Sequence, residues 1–243
     1  MGALIDVDEF AESLALHDRS HVALVGGGGK STLLHSLGRS LPGTVVLSTT
    51  VKMGADQHGG HPVLLDPTDE EVVAAVMREP IVVWSRIDGQ KAVGIDPIRC
   101  DRLAVSVDHL LVEADGARRQ PFKAPASYEP AVPSTANVVA GVIGIEAIGK
   151  VIADRCHRPM RVAALAGVSP YERLTVAGAA TVLAHERGQR ASVPRGARYV
   201  VAATKISPAE IDLFTELAER LELAGIEAIG IRYADASASS ALL

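Results

Sequence analysis

The chain has 243 residues, of which 48% are apolar and 22% charged, an ordinary globular make-up with enough length to bury a core without staples. A net charge of −5 and an aromatic content of 3% argue against nucleic-acid partners, which need a basic footprint and stacking platforms. Two cysteines are too few for a disulfide framework or a four-cysteine zinc site, so reduced thiols are expected.

At the N-terminus, Asp6, Asp8 and Glu9 stand where a signal peptide would carry basic residues. No apolar run reaches the ~18 residues of a membrane span, and a cytoplasmic protein is expected. Residues 6–16 have the spacing of an amphipathic helix and residues 21–25 that of a short buried strand. A helix over residues 30–40 puts Leu33, Leu34 and Leu37 on one face, and residues 44–49 read as the next strand. Thr68 with Glu71 three positions on predicts a capped helix to about Arg78. Residues 81–85 read as a strand, and Asp88-Gly89 as a hairpin turn returning through residues 91–95. A helix over 97–105 precedes a buried strand over 109–114.

Residues 116–134 hold four prolines and no periodicity, which predicts a long structured loop of the functional kind. A strand over 137–143 follows, then helices over 158–166 and 175–187, a strand over 199–203, a helix over 208–224 and a last strand over 227–231. Alternating strands and helices predict an α/β fold, a mostly parallel sheet flanked by helices. One domain is expected over residues 1–243, with a flexible tail at 235–243.

The first buried strand runs straight into Gly26, Gly27, Gly28, Gly29, Lys30, Ser31 and Thr32 and then into a helix. Only glycines turn several backbone N–H groups toward one point without a Cβ clash, and a helix N-terminus adds a positive dipole end. Lys30 is placed to reach β- and γ-phosphates, the Ser31 hydroxyl to ligate Mg²⁺, and Thr32 to support an α-phosphate. The usual glycine six positions before the lysine is Leu24 here, so the loop is a compact variant. The fold this predicts is a three-layer P-loop NTPase-like domain.

The strand over 109–114 ends in Glu113, Ala114 and Asp115. Residues i and i+2 of a strand face one way, so both carboxylates can point at a metal. Arg118, Arg119 and Lys123 follow, three cations suited to a transferring phosphoryl group or an anionic substrate, or else to a solvated loop. Arg118 or Arg119 is a candidate internal arginine finger. Phe122 and Tyr128 fall in the same loop and are expected to wall a substrate crevice. Thr50 and Lys52, where the second strand ends, are candidate phosphate or substrate contacts.

Taken together, Gly26 to Thr32, Ser48-Thr-Thr-Val-Lys-Met53 and Val112-Glu-Ala-Asp-Gly-Ala-Arg118 resemble the selenium-dependent hydroxylase accessory protein family, YqeC-like P-loop proteins. So do Pro121-Phe-Lys-Ala-Pro125, Tyr128-Glu-Pro130, Val142-Ile-Gly-Ile145 and His157-Arg-Pro159. The resemblance implies an NTP-driven step in making, inserting or delivering the selenium-containing cofactor of a molybdenum hydroxylase, with that enzyme or other maturation proteins as partners. Where the family tends toward an Asn-Lys-x-Asp-like stretch, this chain has Thr204-Lys205-Ile206-Ser207. Lys205 keeps a stem to lie along a base, but Ser207 lacks the carboxylate that guanine requires, so ATP is expected ahead of GTP, with Mg²⁺. Two other readings stay open: a small-molecule kinase or acyl-phosphate-forming ligase on the same fold, and a non-catalytic nucleotide-binding module.

Two further groups are read as structural. Asp56, His58 and His61 have metal-ligand spacing but read as a polar loop. Cys156, beside His157 and Arg158, reads as a buried inert thiol rather than a reactive one.

Overall fold

The computed structural model describes residues 2–16 and 19–232. Among the described residues, nine strands form one central sheet: β1 Ala3–Asp6, β2 Ser20–Gly26, β3 Val45–Thr49, β4 Val63–Leu65, β5 Ile81–Trp84, β6 His109–Glu113, β7 Val138–Gly144, β8 Arg198–Ile206 and β9 Glu227–Arg232. Their spatial order is β1-β9-β8-β7-β2-β6-β3-β5-β4. Every pairing in this sheet is parallel.

Side chains alternate between two covered faces, which is why the strands read as continuous apolar runs. Leu24 of β2 and Leu47 of β3 face the helix Lys30–Ser40, through Leu33, Leu34 and Leu37, together with Phe10. The other face holds Val46, Leu110 and Val112 against helices Asp69–Val76 and Pro97–Leu103. Further along it, Val201 and Ala203 pack against helices Val176–Ala184 and Ile211–Leu223. The molecule is therefore the expected three-layer α/β domain, a parallel sheet flanked by helices.

Most expected elements are present, with differences that have local causes. Residues 6–16 are not one helix. Ala3–Asp6 is an edge strand beside β9, and Asp6 then caps a short turn, its N–H donating to Glu9 at 2.8 Å. Only Phe10–Ser13 is α-helical, and Ala15 at φ 46° ends it. The Thr68–Glu71 capping box and the Asp88-Gly89 hairpin form as expected. Strands β4, Lys52–Gly54, Phe122–Lys123 and Cys156–His157 had no local signal, being two or three residues long. The expected tail at 235–243 lies outside the described residues.

This topology places the site. The chain leaves β2 to one side of the sheet, returns at β6 beside it, and then crosses to β7 on the other side. In open parallel sheets, ligands bind at the carboxyl ends of the strands where the order reverses in this way. β6 lies directly beside β2, with Glu113 level with Leu24, so the acidic strand ends next to the glycine loop.

Candidate nucleotide site

The glycine loop is held by its neighbours before any ligand arrives. The Gly27 N–H donates to Val142 O at 2.9 Å and the Gly28 N–H to Gln120 O at 3.2 Å. Gly28 has φ 77°, and a Cβ there would lie 2.0 Å from the Gly144 nitrogen, so only glycine fits. The Thr204 hydroxyl donates to Gly28 O from the end of β8. The N–H groups of Gly26, Gly27 and Gly28 are thus already bonded.

The groups that stay open are the next four. The N–H groups of Gly29, Lys30, Ser31 and Thr32 have no acceptor among the described residues. They form the uncapped N-terminus of the helix Lys30–Ser40, where orphan donors and the helix dipole favour an anion. Gly28 to Thr32 line a cavity of about 1500 Å³ at the carboxyl end of the sheet, while Gly26 and Gly27 lie behind it.

Lys30 is buried and folds back over the loop. Its Nζ donates to Gly26 O at 2.7 Å and lies 3.5 Å from Glu113 Oε1 and 3.2 Å from Asp115 Oδ1. Burial opposes its charge, but the two carboxylates outweigh burial and hold its pKa above the ordinary lysine value. The Ser31 hydroxyl donates to Glu113 Oε2 at 2.8 Å, and Glu113 lines the cavity.

Asp115 sits behind this wall. Its two oxygens accept the Gly26 N–H at 3.0 and 2.9 Å and also meet Lys30 and Lys123. Lys123, expected at the ligand, is instead fully buried. Its Nζ donates to Gly116 O at 2.5 Å and pairs with Asp115 at 3.1 Å and Glu129 at 2.9 Å, three partners for three N–H bonds.

The remaining expected residues divide. Arg118, Arg119 and Tyr128 line the cavity, as do Lys52 and Lys205, which pair with Asp88 and Glu146 respectively. Thr50 does not line it, because its hydroxyl donates to Ala131 O at 2.8 Å. Phe122 does not wall a crevice. It is wholly buried in the apolar cluster with Ile143 and Ile145, drawn there by the short pairing of Phe122–Lys123 with Cys156–His157.

Glu129 and Arg158 stand in stretches that carry the family resemblance but were not among the expected site residues. Arg158 Nε meets Glu129 Oε2 at 3.2 Å, its Nη2 donates to the Tyr128 hydroxyl at 3.1 Å, and its guanidinium lies 5.5 Å from that ring's centre. Burial pushes the Glu129 carboxyl up, but Lys123 and Arg158 outweigh it and bring its pKa down to about 2. The available signal was that each is a charged residue directly before a proline, in Tyr128-Glu129-Pro130 and His157-Arg158-Pro159.

Cys156 lines the cavity but is itself buried, and burial raises its thiol pKa to about 12, which disfavours the reactive thiolate. Among the described residues, no group of three His, Cys, Asp or Glu converges to hold a metal, so Asp56, His58 and His61 do not form such a site. No helix among the described residues is long and apolar enough to cross a membrane.

The family model described as YqeC protein matches residues 22–160, from β2 through the acidic strand and its loop to Pro159 and Met160. The chain belongs to the YqeC family. A family relative from Escherichia coli (strain K12), named Uncharacterized protein YqeC, is 30% identical over 241 residues, covering 94% of this chain and 93% of that protein. No solved structure matches. The YqeC match takes in the glycine loop, Glu113, Asp115, Arg118, Arg119, Glu129 and Arg158, but not Lys205.

Proposed function

We propose that this YqeC-family protein binds a magnesium–nucleoside triphosphate at residues 28–32 and turns it over in the maturation of a selenium-dependent molybdenum hydroxylase. The observation that carries the nucleotide half is the set of four open N–H groups at Gly29, Lys30, Ser31 and Thr32, with Lys30 and the Ser31–Glu113 pair beside them. A row of free amides at a helix N-terminus is an anion cradle.

The residues present fit Mg²⁺. Ser31 Oγ and Glu113 Oε2 are two adjacent hard oxygen donors at the cavity wall. Mg²⁺ keeps several waters and takes one or two carboxylates plus phosphates, so it needs no further protein ligands. When bound, it would neutralise charge on the β- and γ-phosphate oxygens. Asp115 anchors the loop rather than joining Glu113 at the metal, because Gly26, Lys30 and Lys123 already occupy both its oxygens. Lys30 exchanges its Gly26 and carboxylate contacts for phosphate oxygens and stabilises their charge in the transition state. Its ammonium is kept charged by Glu113 and Asp115.

ATP is the proposed nucleotide, with GTP the competing one. Ser207, where guanine would need a carboxylate, instead caps the turn Pro208–Glu210. The maturation half rests on the family relation and the stretches from residue 112 to 130. Incubation with ATP or GTP and Mg²⁺, with and without a selenium-dependent hydroxylase, tests both halves. ATP hydrolysis that rises with the hydroxylase supports the reading. Binding without turnover under all conditions contradicts the catalytic half, and turnover indifferent to the hydroxylase contradicts the maturation half.

A further inference from the structure

The cavity of about 1500 Å³ exceeds the roughly 300–1,000 Å³ of a pocket for one small ligand. Besides the glycine-loop residues, its wall includes Arg118, Arg119, Tyr128, His157 and Arg158. An ion-pair chain runs from the loop to Arg158 through buried Asp115 and Lys123 and half-buried Glu129. Lys30 meets Asp115 at 3.2 Å, Asp115 meets Lys123 at 3.1 Å, Lys123 meets Glu129 at 2.9 Å, and Glu129 meets Arg158 at 3.2 Å. Arg158 is thus set apart from Lys30 by three side chains and fixed in place, its guanidinium against the exposed Tyr128 ring.

The charges on this wall do not balance. Glu129 compensates Arg158, whereas Arg118 and Arg119 are exposed and make no hydrogen bond or ion pair among the described residues. Both have left-handed backbone, at φ 50° and 62°, as does Arg158 at φ 60°. Side-chain-bearing residues adopt that conformation at an energetic cost, and such costs gather at ligand sites. Seven non-glycine described residues have positive φ, and the four cationic ones (Arg118, Arg119, Arg158 and Lys205) all line this cavity. Two uncompensated guanidinium forks match a dianion with several acceptor oxygens, and an open tyrosine ring beside them suits a planar group.

We propose that Arg118, Arg119 and Arg158, with Tyr128, form a second-substrate site for a phosphate monoester held at the same time as the nucleotide. This rests on the nucleotide reading, which fills the loop with the triphosphate and leaves the arginines to another anion. It gives the cavity's excess volume an occupant and makes the protein a two-ligand one.

The test is calorimetric titration of the full chain at low ionic strength with phenyl phosphate, a planar ring bearing a dianion, and with benzoate as a planar monoanion. Each is run with and without a saturating non-hydrolysable ATP analogue and Mg²⁺. Binding of the analogue to the unaltered chain tests the nucleotide reading separately. The proposal expects phenyl phosphate to bind whether or not the analogue is present. It expects binding to weaken at least about 10-fold in R118Q/R119Q, through loss of charge-assisted hydrogen bonds, and benzoate to bind at least about 10-fold more weakly than phenyl phosphate. R118G/R119G, whose glycines take positive φ without strain, gives the same loss and guards against misfolding. Displacement of phenyl phosphate by the analogue, affinity unchanged in both double variants, or equal binding of benzoate overturns the proposal.

Discussion

Asp115 accepts the backbone N–H of Gly26 with both carboxylate oxygens, at 3.0 and 2.9 Å. That contact joins the residue just beyond the acidic strand to the glycine that starts the phosphate loop. The same carboxylate stands between two buried ammonium groups, Lys30 at 3.2 Å and Lys123 at 3.1 Å. Loop shape and charge balance therefore depend on one side chain.

Asp115→Asn keeps an acceptor for Gly26 but leaves two buried lysines short of a negative charge. Breaking a buried ion pair from one side costs about 3–5 kcal/mol, and a loss of that order is expected in urea denaturation. A loss under about 1 kcal/mol would show that Asp115 is not the charge anchor of the loop.

Glu113→Gln acts at the cavity wall and removes the carboxylate beside Ser31. Nucleotide affinity should change little, while single-turnover hydrolysis should fall by about 100-fold or more, since the lost group acts on transition-state charge. Parallel loss of binding and turnover would place Glu113 in ground-state binding instead.

Two groups make the fold acid-sensitive in the same direction. Burial lowers the His21 pKa from 6.5 to about 4, so its neutral form is favoured in the folded state. Stability from this group is full above 6.5 and declines as pH falls toward 4. Glu129, at about 2 instead of 4.5, contributes stability that is full above 4.5 and declines toward 2. Urea denaturation from about pH 7 to about pH 3 should show both declines. Glu129→Gln should flatten the lower one alone, and an unchanged slope there would remove Glu129 from the account.

Both cysteines should be silent to thiol reagents in the native state. Burial raises the Cys100 and Cys156 thiols to about 12, far from the thiolate needed for reaction. Iodoacetamide at mildly alkaline pH should label neither until denaturant is added, as read by mass spectrometry. Rapid native labelling of Cys156 would restore it as a candidate carrier of selenium or sulfur.

The sequence made legible what local pattern controls. The helix Lys30–Ser40 and the Thr68–Glu71 cap follow from leucine spacing and a reciprocal hydrogen-bond pair, both short-range. The glycine loop was legible because strand, glycines and helix are contiguous. Strand Ala3–Asp6 was not, since its partner Ile229 lies at the far end of the chain. The division of labour in the acidic segment was also hidden. Period-two alternation puts Glu113 and Asp115 on one side, but it does not show that Gly26 and Lys123 claim Asp115. Lys123 reads in sequence as a ligand contact or a solvated cation, and only its enclosure by Asp115, Glu129 and Gly116 O makes it a buried strut.

Calorimetric titration of Mg-ATP into the full chain and into Lys30→Ala asks whether residues 28–32 hold a nucleotide. One site is expected in the unaltered chain, weakened by about 100-fold in the variant, the loss of a charge-assisted hydrogen bond worth roughly 3 kcal/mol. Equal affinity in both proteins, or no binding to the unaltered chain, would contradict a nucleotide site there.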